Sequence, residues 1–308
     1  MYKYRFSIFT ATYNRCNLLY DRYKELLNLD FKDFEWVVVS DGSNDDTAKV
    51  VESFVKEKKI PIQFINKDNG GKHTAWKVAT AVFQGRYIIC ADDDDEILPS
   101  MLSIYHKHWL ELENSDKYSE FWEIRTRCMT DNSKLIGSPL AHPYLDSDYN
   151  EVRYIYKCIC DMNACRKVEV LRNEAAVPDS FIFEDKVSNY QEGLRWSQAA
   201  RKYKTRFLPD ITIMVHRTDN SLANKNNGKN RSAKRSYNLL VSSIYTLKSQ
   251  RDLLLKYNKR RYFKVLMVLS YLSICLNEKT LQYVDKSIDK LLLNFFYFPM
   301  RLFQLIRK

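Results

Sequence analysis

At 308 residues the chain can bury one large core, and 45% hydrophobic with 28% charged residues is the balance of a folded globular protein, which excludes a disordered or fibrous one. Seven Gly and seven Pro exclude long flexible linkers, while seven Cys (16, 90, 128, 158, 160, 165 and 275), odd in number and without a CxxC pair, exclude a disulfide scaffold and suit buried free thiols in a reducing compartment. The net charge of +11 is concentrated, because residues 221–308 hold 18 Lys and Arg against 4 Asp and Glu, a local balance of +14.

Met1-Tyr2-Lys3-Tyr4-Arg5 runs into a strand pattern without an apolar signal core, and no stretch reaches the ~20 uninterrupted apolar residues of a membrane span, so a cytoplasmic location is expected. Residues 6–10 read as a strand, and 17–29 as an amphipathic helix with Leu18, Leu19, Leu26 and Leu27 near one side. Residues 34–39 form a second strand, apolar through Trp36-Val37-Val38-Val39 as in a strand buried on both faces. Ser43 to Asp46 can cap a helix running to Glu57; a strand at 62–65, a helix at 73–83 and a strand at 87–91 follow. This βαβαβαβ alternation predicts a parallel, twisted sheet covered by helices, with ligands beyond the carboxyl ends of the strands. The loops expected there carry chemistry. Asp41 can accept hydrogen bonds from a base or ribose, Gly70-Gly71 permits close backbone approach, and Lys72 and His73 can face phosphate.

The fourth strand delivers Asp92-Asp93-Asp94-Asp95-Glu96. Adjacent carboxylates repel unless a cation or donors share their space, so the run reads as a site for a hard divalent ion, Mg²⁺ or Mn²⁺. In an extended segment Asp92 and Asp94 would share one face and Asp93 the other. The alternative is a solvated acidic loop before a helix that starts near Pro99-Ser100.

Four stretches, Thr10-Ala11-Thr12-Tyr13-Asn14-Arg15, Val39-Ser40-Asp41-Gly42-Ser43-Asn44-Asp45-Asp46-Thr47, Asn69-Gly70-Gly71-Lys72-His73 and Asp92-Asp93-Asp94-Asp95, resemble in order and spacing the motifs of family 2 glycosyltransferases. The resemblance implies an α/β GT-A fold, Rossmann-like with helices on both faces of a mostly parallel sheet. It further implies a nucleotide-sugar donor, most often a uridine diphosphate sugar, a divalent cation (Mn²⁺ or Mg²⁺) and inversion at the anomeric carbon. By position it assigns Thr10, Thr12, Tyr13, Arg15, Asp41, Gly70, Gly71, Lys72, Asp92 and Asp93 to the nucleotide sugar, and Asp94 with Asp92 to the metal. The family usually has two Asp before Gly-Ser; here Ser40 replaces the first, and Asp41, the position used for the base, is retained.

Residues 101–112 read as an amphipathic helix, and 121–128 as a strand with one wet face. From 130 to 150 the composition turns loop-like, the part that shapes the acceptor side in the family. Inverting transfer needs a carboxylate to take the acceptor proton. In the family that residue precedes an aromatic, commonly Trp, by about four positions. Glu192 followed by Trp196 fits, although Glu stands for the commoner Asp and Gln191 stands where an acid often precedes it; Glu184 and Asp185 are in reserve. The other reading of Glu192 is a helix N-terminal carboxylate serving the macrodipole. Short strands at 206–208 and 211–215 end at His216, which by resemblance reaches the metal or diphosphate and on its own reads equally as structural.

Asn224 to Arg235 is Asn-, Lys- and Arg-rich, a boundary or a lid, and helical patterns cover 236–257, 261–276 and 281 to the end. The aromatic run Leu291 to Phe303, flanked by basic residues, suits either a peripheral contact with an anionic membrane through 262–308 or a helix packed on the catalytic domain. Three parts are expected: 1–99 binding the nucleotide sugar, 100–220 as the acceptor half of the same domain, and 221–308 as a basic helical C-terminal extension. The expected activity is metal-dependent, inverting transfer of a sugar to a hydroxyl of a surface polysaccharide or lipid-linked glycan, at the inner face of the cell membrane and with no nucleic-acid partner. Two alternatives are a nucleotide-binding protein that has lost catalysis and a nucleic-acid-binding protein using the basic tail.

Overall fold

The computed structural model describes residues 2–137, 143–154, 162–187, 190–216 and 233–307. The segment at 224–235 proposed as a lid lies mostly outside them, as do Cys158 and Cys160. Two compact units appear: Met1–Val177 with Ala199–Lys225, and Pro178–Gln198 with Asn226–Lys308. Residues 178–198, read from sequence as part of the acceptor half, thus group with the C-terminal helices.

The first unit opens with β1 (Tyr4–Thr12), α1 (Cys16–Asn28), β2 (Phe34–Asp41), α2 (Thr47–Glu57), β3 (Ile62–Lys67), α3 (Lys72–Val82) and β4 (Gly85–Cys90). β1 pairs in parallel with β2 and β4, and β2 with β3, giving the order 3-2-1-4. β2 is buried along its whole length, as its apolar run predicts. α1 turns Leu19, Arg22, Tyr23 and Leu26 inward at the spacing of one helical face, and Tyr23 stacks on Phe54 of α2 with ring centroids 4.1 Å apart. Asp45 serves two helix starts, accepting from the backbone N–H of Cys16 (3.0 Å) and of Thr47 (3.1 Å).

The sheet then widens. β5 (Asp95–Ile97), α4 (Met101–Glu113), β6 (Phe121–Thr130), β7 (Leu145–Ser147), α5 (Tyr149–Tyr154), β8 (Met162–Lys167), α6 (Val168–Glu174) and β9 (Lys204–Val215) complete a nine-stranded mixed sheet among the described residues. β8 is antiparallel to β4 and β6, while β6 runs parallel to β9.

β6 departs from expectation. Its first eight residues are buried, including Glu123, Arg125 and Arg127, so it has no wet face. The reason is its place between β8 and β9, where the polar side chains satisfy one another: Arg125 and Arg166 both donate to Glu123, with Nε–oxygen distances of 2.6 and 2.7 Å. β9 is one strand where two were expected. Pro209, which has no N–H to give the ladder, falls where the β6 register shifts between the pairs Arg125–Phe207 and Arg127–Ile211.

The second unit contains α7 (Glu192–Ala199) and three longer helices, α8 (Ala233–Tyr257), α9 (Lys259–Leu276) and α10 (Ser287–Arg307). Asn258 caps α9 by accepting from the Arg261 N–H at 3.0 Å, and Asn277 ends it in the left-handed region at φ 54°. Buried Asp289 ties all three together, accepting from Arg251 of α8 (2.7 Å) and Tyr262 of α9 (2.5 Å). No helix among the described residues is long and apolar enough to cross a membrane.

Candidate active site

β4 ends at Cys90 and the Asp run leaves the extended conformation at once, turning over residues 93–94 with the Asp95 N–H 3.4 Å from the Asp92 carbonyl. The alternation expected of an extended segment therefore fails. Asp93 and Asp94 share a partner, the Arg15 guanidinium, at 2.8 and 3.1 Å, and Thr12 donates to Asp93 at 2.7 Å. Asp92 stands apart, held by Lys72 at 2.7 and 2.9 Å. The loops after β1 and β3 thus meet the loop after β4 through ion pairs, where the sheet was expected to bind its ligand.

The turn is held from beneath by a residue the sequence reading passed over. Arg22, fully buried on the apolar face of α1, donates to the carbonyls of Asp92 and Asp95 and to the Glu25 carboxylate at 2.6 Å; Glu25 also accepts from the Ile97 N–H at 3.1 Å. An arginine standing between Leu19 and Leu26 on a helix face was the available signal, since a buried guanidinium needs acceptors. Arg22→Met is expected to lower stability by about 2–3 kcal/mol, the scale of acceptors left unpaired. A melting temperature equal to the parent's would show that the turn keeps its shape without Arg22.

Asp41, at the end of β2, accepts from the N–H of Gly70 (3.0 Å) and Gly71 (2.7 Å) and from Lys67 Nζ (2.6 Å), and these donors outweigh burial to hold its carboxyl below the usual range. Lys67 is a second residue the sequence reading did not select. Gly42 is required here. Its φ is +78° and a Cβ would lie 2.6 Å from the Asn69 backbone nitrogen, so a side chain would push the Gly70-Gly71 loop away from Asp41. Gly71 adopts φ 89° immediately before α3.

Other expected donor contacts divide. Tyr13 is 48% exposed beside the site, whereas Thr10 is fully buried with its hydroxyl accepting from the Trp36 indole at 3.1 Å, so its side chain belongs to the core. His216 and Asp94 line one cleft of about 450 Å³ together with Arg15, Arg22 and Glu96. Each His216 ring nitrogen faces a carboxylate, Nε2 that of Glu96 at 3.1 Å and Nδ1 that of Asp131. Both nitrogens being engaged, the ring would ligate a metal only by exchanging one of these partners. Glu192 is the first residue of α7 in the second unit, with Trp196 buried one turn later.

The site carries excess negative charge. Burial, then the charges of Asp92 and Asp94, push the Asp95 carboxyl up to about 7 against the pull of Arg22 and Lys72. Among the described residues no three His, Cys, Asp or Glu side chains are grouped as a protein-only metal cage. Carboxylates this crowded nevertheless suit an Mg²⁺ or Mn²⁺ ion that takes one or two of them and completes its shell from a diphosphate and water. A carboxyl raised in the folded state stabilises least once pH exceeds its folded value, so Asp95 weakens the fold as pH rises from about 4 to 7. In chelator, Asp95→Asn is expected to be more stable than the parent by about 2 kcal/mol at pH 8, allowing for solvent screening. The difference should vanish near pH 4 in thermal melts; equal stability at pH 8 would place the Asp95 carboxyl in its ordinary range.

Comparison with solved structures identifies the architecture. Staphylococcus aureus TarS 1-349 in complex with UDP-GlcNAc superposes with a TM-score of 0.59 over 94% of this chain and 78% of that one at 16% identity. The mannosyltransferase PcManGT from Pyrobaculum calidifontis, in complex with GDP-Man and Mn²⁺, gives a TM-score of 0.52 over 98% and 84% at 14% identity. The fold is therefore GT-A, as the motifs implied. Residues 7–120 of the 308 match the model of glycosyl transferase family 2. Among curated proteins the chain is 36% identical over 104 residues to a GalNAc(5)-diNAcBac-PP-undecaprenol beta-1,3-glucosyltransferase of Campylobacter jejuni, covering 32% of each. It is 30% identical over 95 residues to the poly(ribitol-phosphate) beta-N-acetylglucosaminyltransferase TarS, covering 30% of this chain and 17% of that protein. The chain thus spans about a third or less of the length of these curated relatives.

Proposed function

We propose that the chain is an inverting glycosyltransferase that moves a sugar from a nucleotide diphosphate, with uridine as the base, to a hydroxyl of a surface polysaccharide or lipid-linked glycan. The observation that carries this reading is the convergence of Asp41 with Gly70-Gly71, Lys72 with Asp92, and Arg15 with Asp93 and Asp94 at the carboxyl ends of β2, β1 and β4. Such a set would suit a nucleoside beside a metal–diphosphate pair, which supports this reading. The names of the relatives, which act on an undecaprenol-linked glycan and on poly(ribitol-phosphate), support an acceptor of that class.

Each residue then has a part. Asp41 orients the nucleoside, and the Gly70-Gly71 backbone lets it approach closely. Lys72 and Arg15, now paired with Asp92, Asp93 and Asp94, exchange toward the diphosphate when it arrives. Asp94, with Asp92, would hold the divalent cation, which when bound supplies the charge that neutralises the leaving group. Glu192 takes the acceptor proton. The enzyme works at the inner face of the cell membrane, through a peripheral contact of its C-terminal helices and without nucleic acid.

Calorimetric titration with UDP, with and without Mn²⁺, tests the donor site. Binding is expected to need the cation, and Asp94→Ala to weaken it roughly tenfold or more in Mn²⁺, the scale of one lost charged contact. Binding that ignores both the cation and Asp94 would remove the metal from this reading. Absence of binding to UDP, GDP and dTDP alike would sink it.

A further inference from the structure

Among the described residues α10 is anchored on one side. Asp289 and Leu293 are buried, the Leu293 carbonyl accepting from Ser270 of α9 at 3.2 Å. Away from that face Ile288, Leu291, Phe295, Phe298 and Leu302 are 50%, 64%, 69%, 75% and 53% exposed. Their spacing of three, four, three and four residues places all five in one stripe about 20 Å long. Scattered exposed apolar residues are ordinary, whereas five in line, two of them phenylalanines, form a continuous apolar face of the kind that marks an interaction surface. Lys290 and Arg301, both exposed and three turns apart, run along one edge, and the stretch from 221 to 308 carries 18 Lys and Arg against 4 Asp and Glu.

We propose that this face of α10 lies in the plane of an anionic lipid surface, with Leu291, Phe295, Phe298 and Leu302 entering the acyl boundary and Lys290 and Arg301 meeting the headgroups. Charge chooses the occupant. A second copy of the chain would bring two units of +14 face to face, whereas an anionic leaflet is complementary to that charge. Pro299 argues the same way. It interrupts the hydrogen-bond ladder inside α10 between Phe298 and Leu302 of the stripe, which disturbs the regular seam of a paired coiled coil but is tolerated by a single helix lying at an interface. The inference gives a surface to the membrane contact of the proposed function. It rests on that reading only for the idea that the acceptor is carried on a lipid, since lipid binding needs no transfer.

Flotation of the full chain with phosphatidylcholine vesicles, plain or containing about one-third phosphatidylglycerol, tests it. The parent is expected to bind the anionic vesicles and to be released by high salt. Phe295→Ser combined with Phe298→Ser should weaken partitioning about tenfold or more, and Lys290→Glu combined with Arg301→Glu should remove the preference for anionic lipid. UDP titration and light scattering run beside it. Unchanged UDP binding in both variants shows that they fold and keeps a failure here distinct from a failure of the donor site. Parent protein that ignores anionic vesicles, serine variants that bind them as the parent does, or a solution dimer that the serine variants disperse would each overturn the proposal.

Discussion

Glu123→Ala is expected to lower the unfolding free energy by about 3–5 kcal/mol, the cost of removing one partner from a buried ionic network. Glu123 is fully buried in β6, and three donors converge on it: Arg125 in a two-pronged contact at 2.6 and 3.1 Å, Arg166 across the ladder in β8 at 2.7 Å, and the Thr205 hydroxyl in β9 at 3.2 Å. Truncation leaves two guanidinium groups, each with most of its surface out of water, facing an empty space. A drop of roughly 8–15 °C in the melting temperature corresponds to that loss. The strands around the network explain its cost, because β6, β8 and β9 join the parallel core to the rest of the sheet.

The same group sets an acid limit. Burial alone would raise the Glu123 carboxyl, but the charges of Arg125 and Arg166 win and hold it below the usual range. A depressed carboxyl contributes stability that is fully present above its unfolded value and is lost as pH falls through its folded value. Glu123→Ala should therefore lose less stability than the parent between about pH 4 and pH 2. Replacing all three by apolar residues, Glu123→Leu with Arg125→Met and Arg166→Met, should recover most of the loss at neutral pH, since a well-packed apolar trio avoids the desolvation cost. A single alanine variant as stable as the parent would mean that water reaches the arginines.

How much of this was legible in sequence depends on where the determining partner lies. In the first hundred residues the partners are local or periodic. A parallel strand covered on both faces reads as an unbroken apolar run, as in Trp36-Val37-Val38-Val39, and the loops at the strand ends carry the motifs. Those elements appear within about two residues of their expected limits. The acidic turn was misread because period-two alternation holds only while a strand continues, and β4 stops at Cys90. Its real geometry comes from Arg22, 70 residues earlier, and no local rule connects a helix arginine to those carbonyls. β6 failed for a related reason. Alternating polar residues predict a wet face only if the strand has one, and its neighbours β8 and β9 are set by pairing 40 to 80 residues away, as the contacts of Glu123 with Arg166 and Thr205 show. Pro209 gave a local signal for an interruption in β9, and the strand absorbed it as a register shift instead of ending.

Glu192→Gln is expected to lower kcat by about 10² to 10⁴-fold, the range associated with loss of a general base, while UDP affinity stays within about twofold of the parent. The substitution keeps side-chain volume and removes the acceptor for the proton, so a change confined to kcat separates chemistry from binding. Two properties of the position favour it as the base. Glu192 is half-buried at the first position of α7, and Trp196 one turn on is buried, which fixes the helix that presents it. Gln191, which stands where relatives often carry a second acid, is engaged with the Ser242 hydroxyl at 2.7 Å. The competing role, a carboxylate complementing the helix dipole, predicts something different: a loss of about 0.3–1 kcal/mol in stability and an unchanged turnover. Glu192→Asp discriminates further, because it preserves the charge at the helix start but withdraws the carboxylate by one methylene. As a dipole partner it should behave like the parent, and as a base it should recover only part of the rate lost in Glu192→Gln.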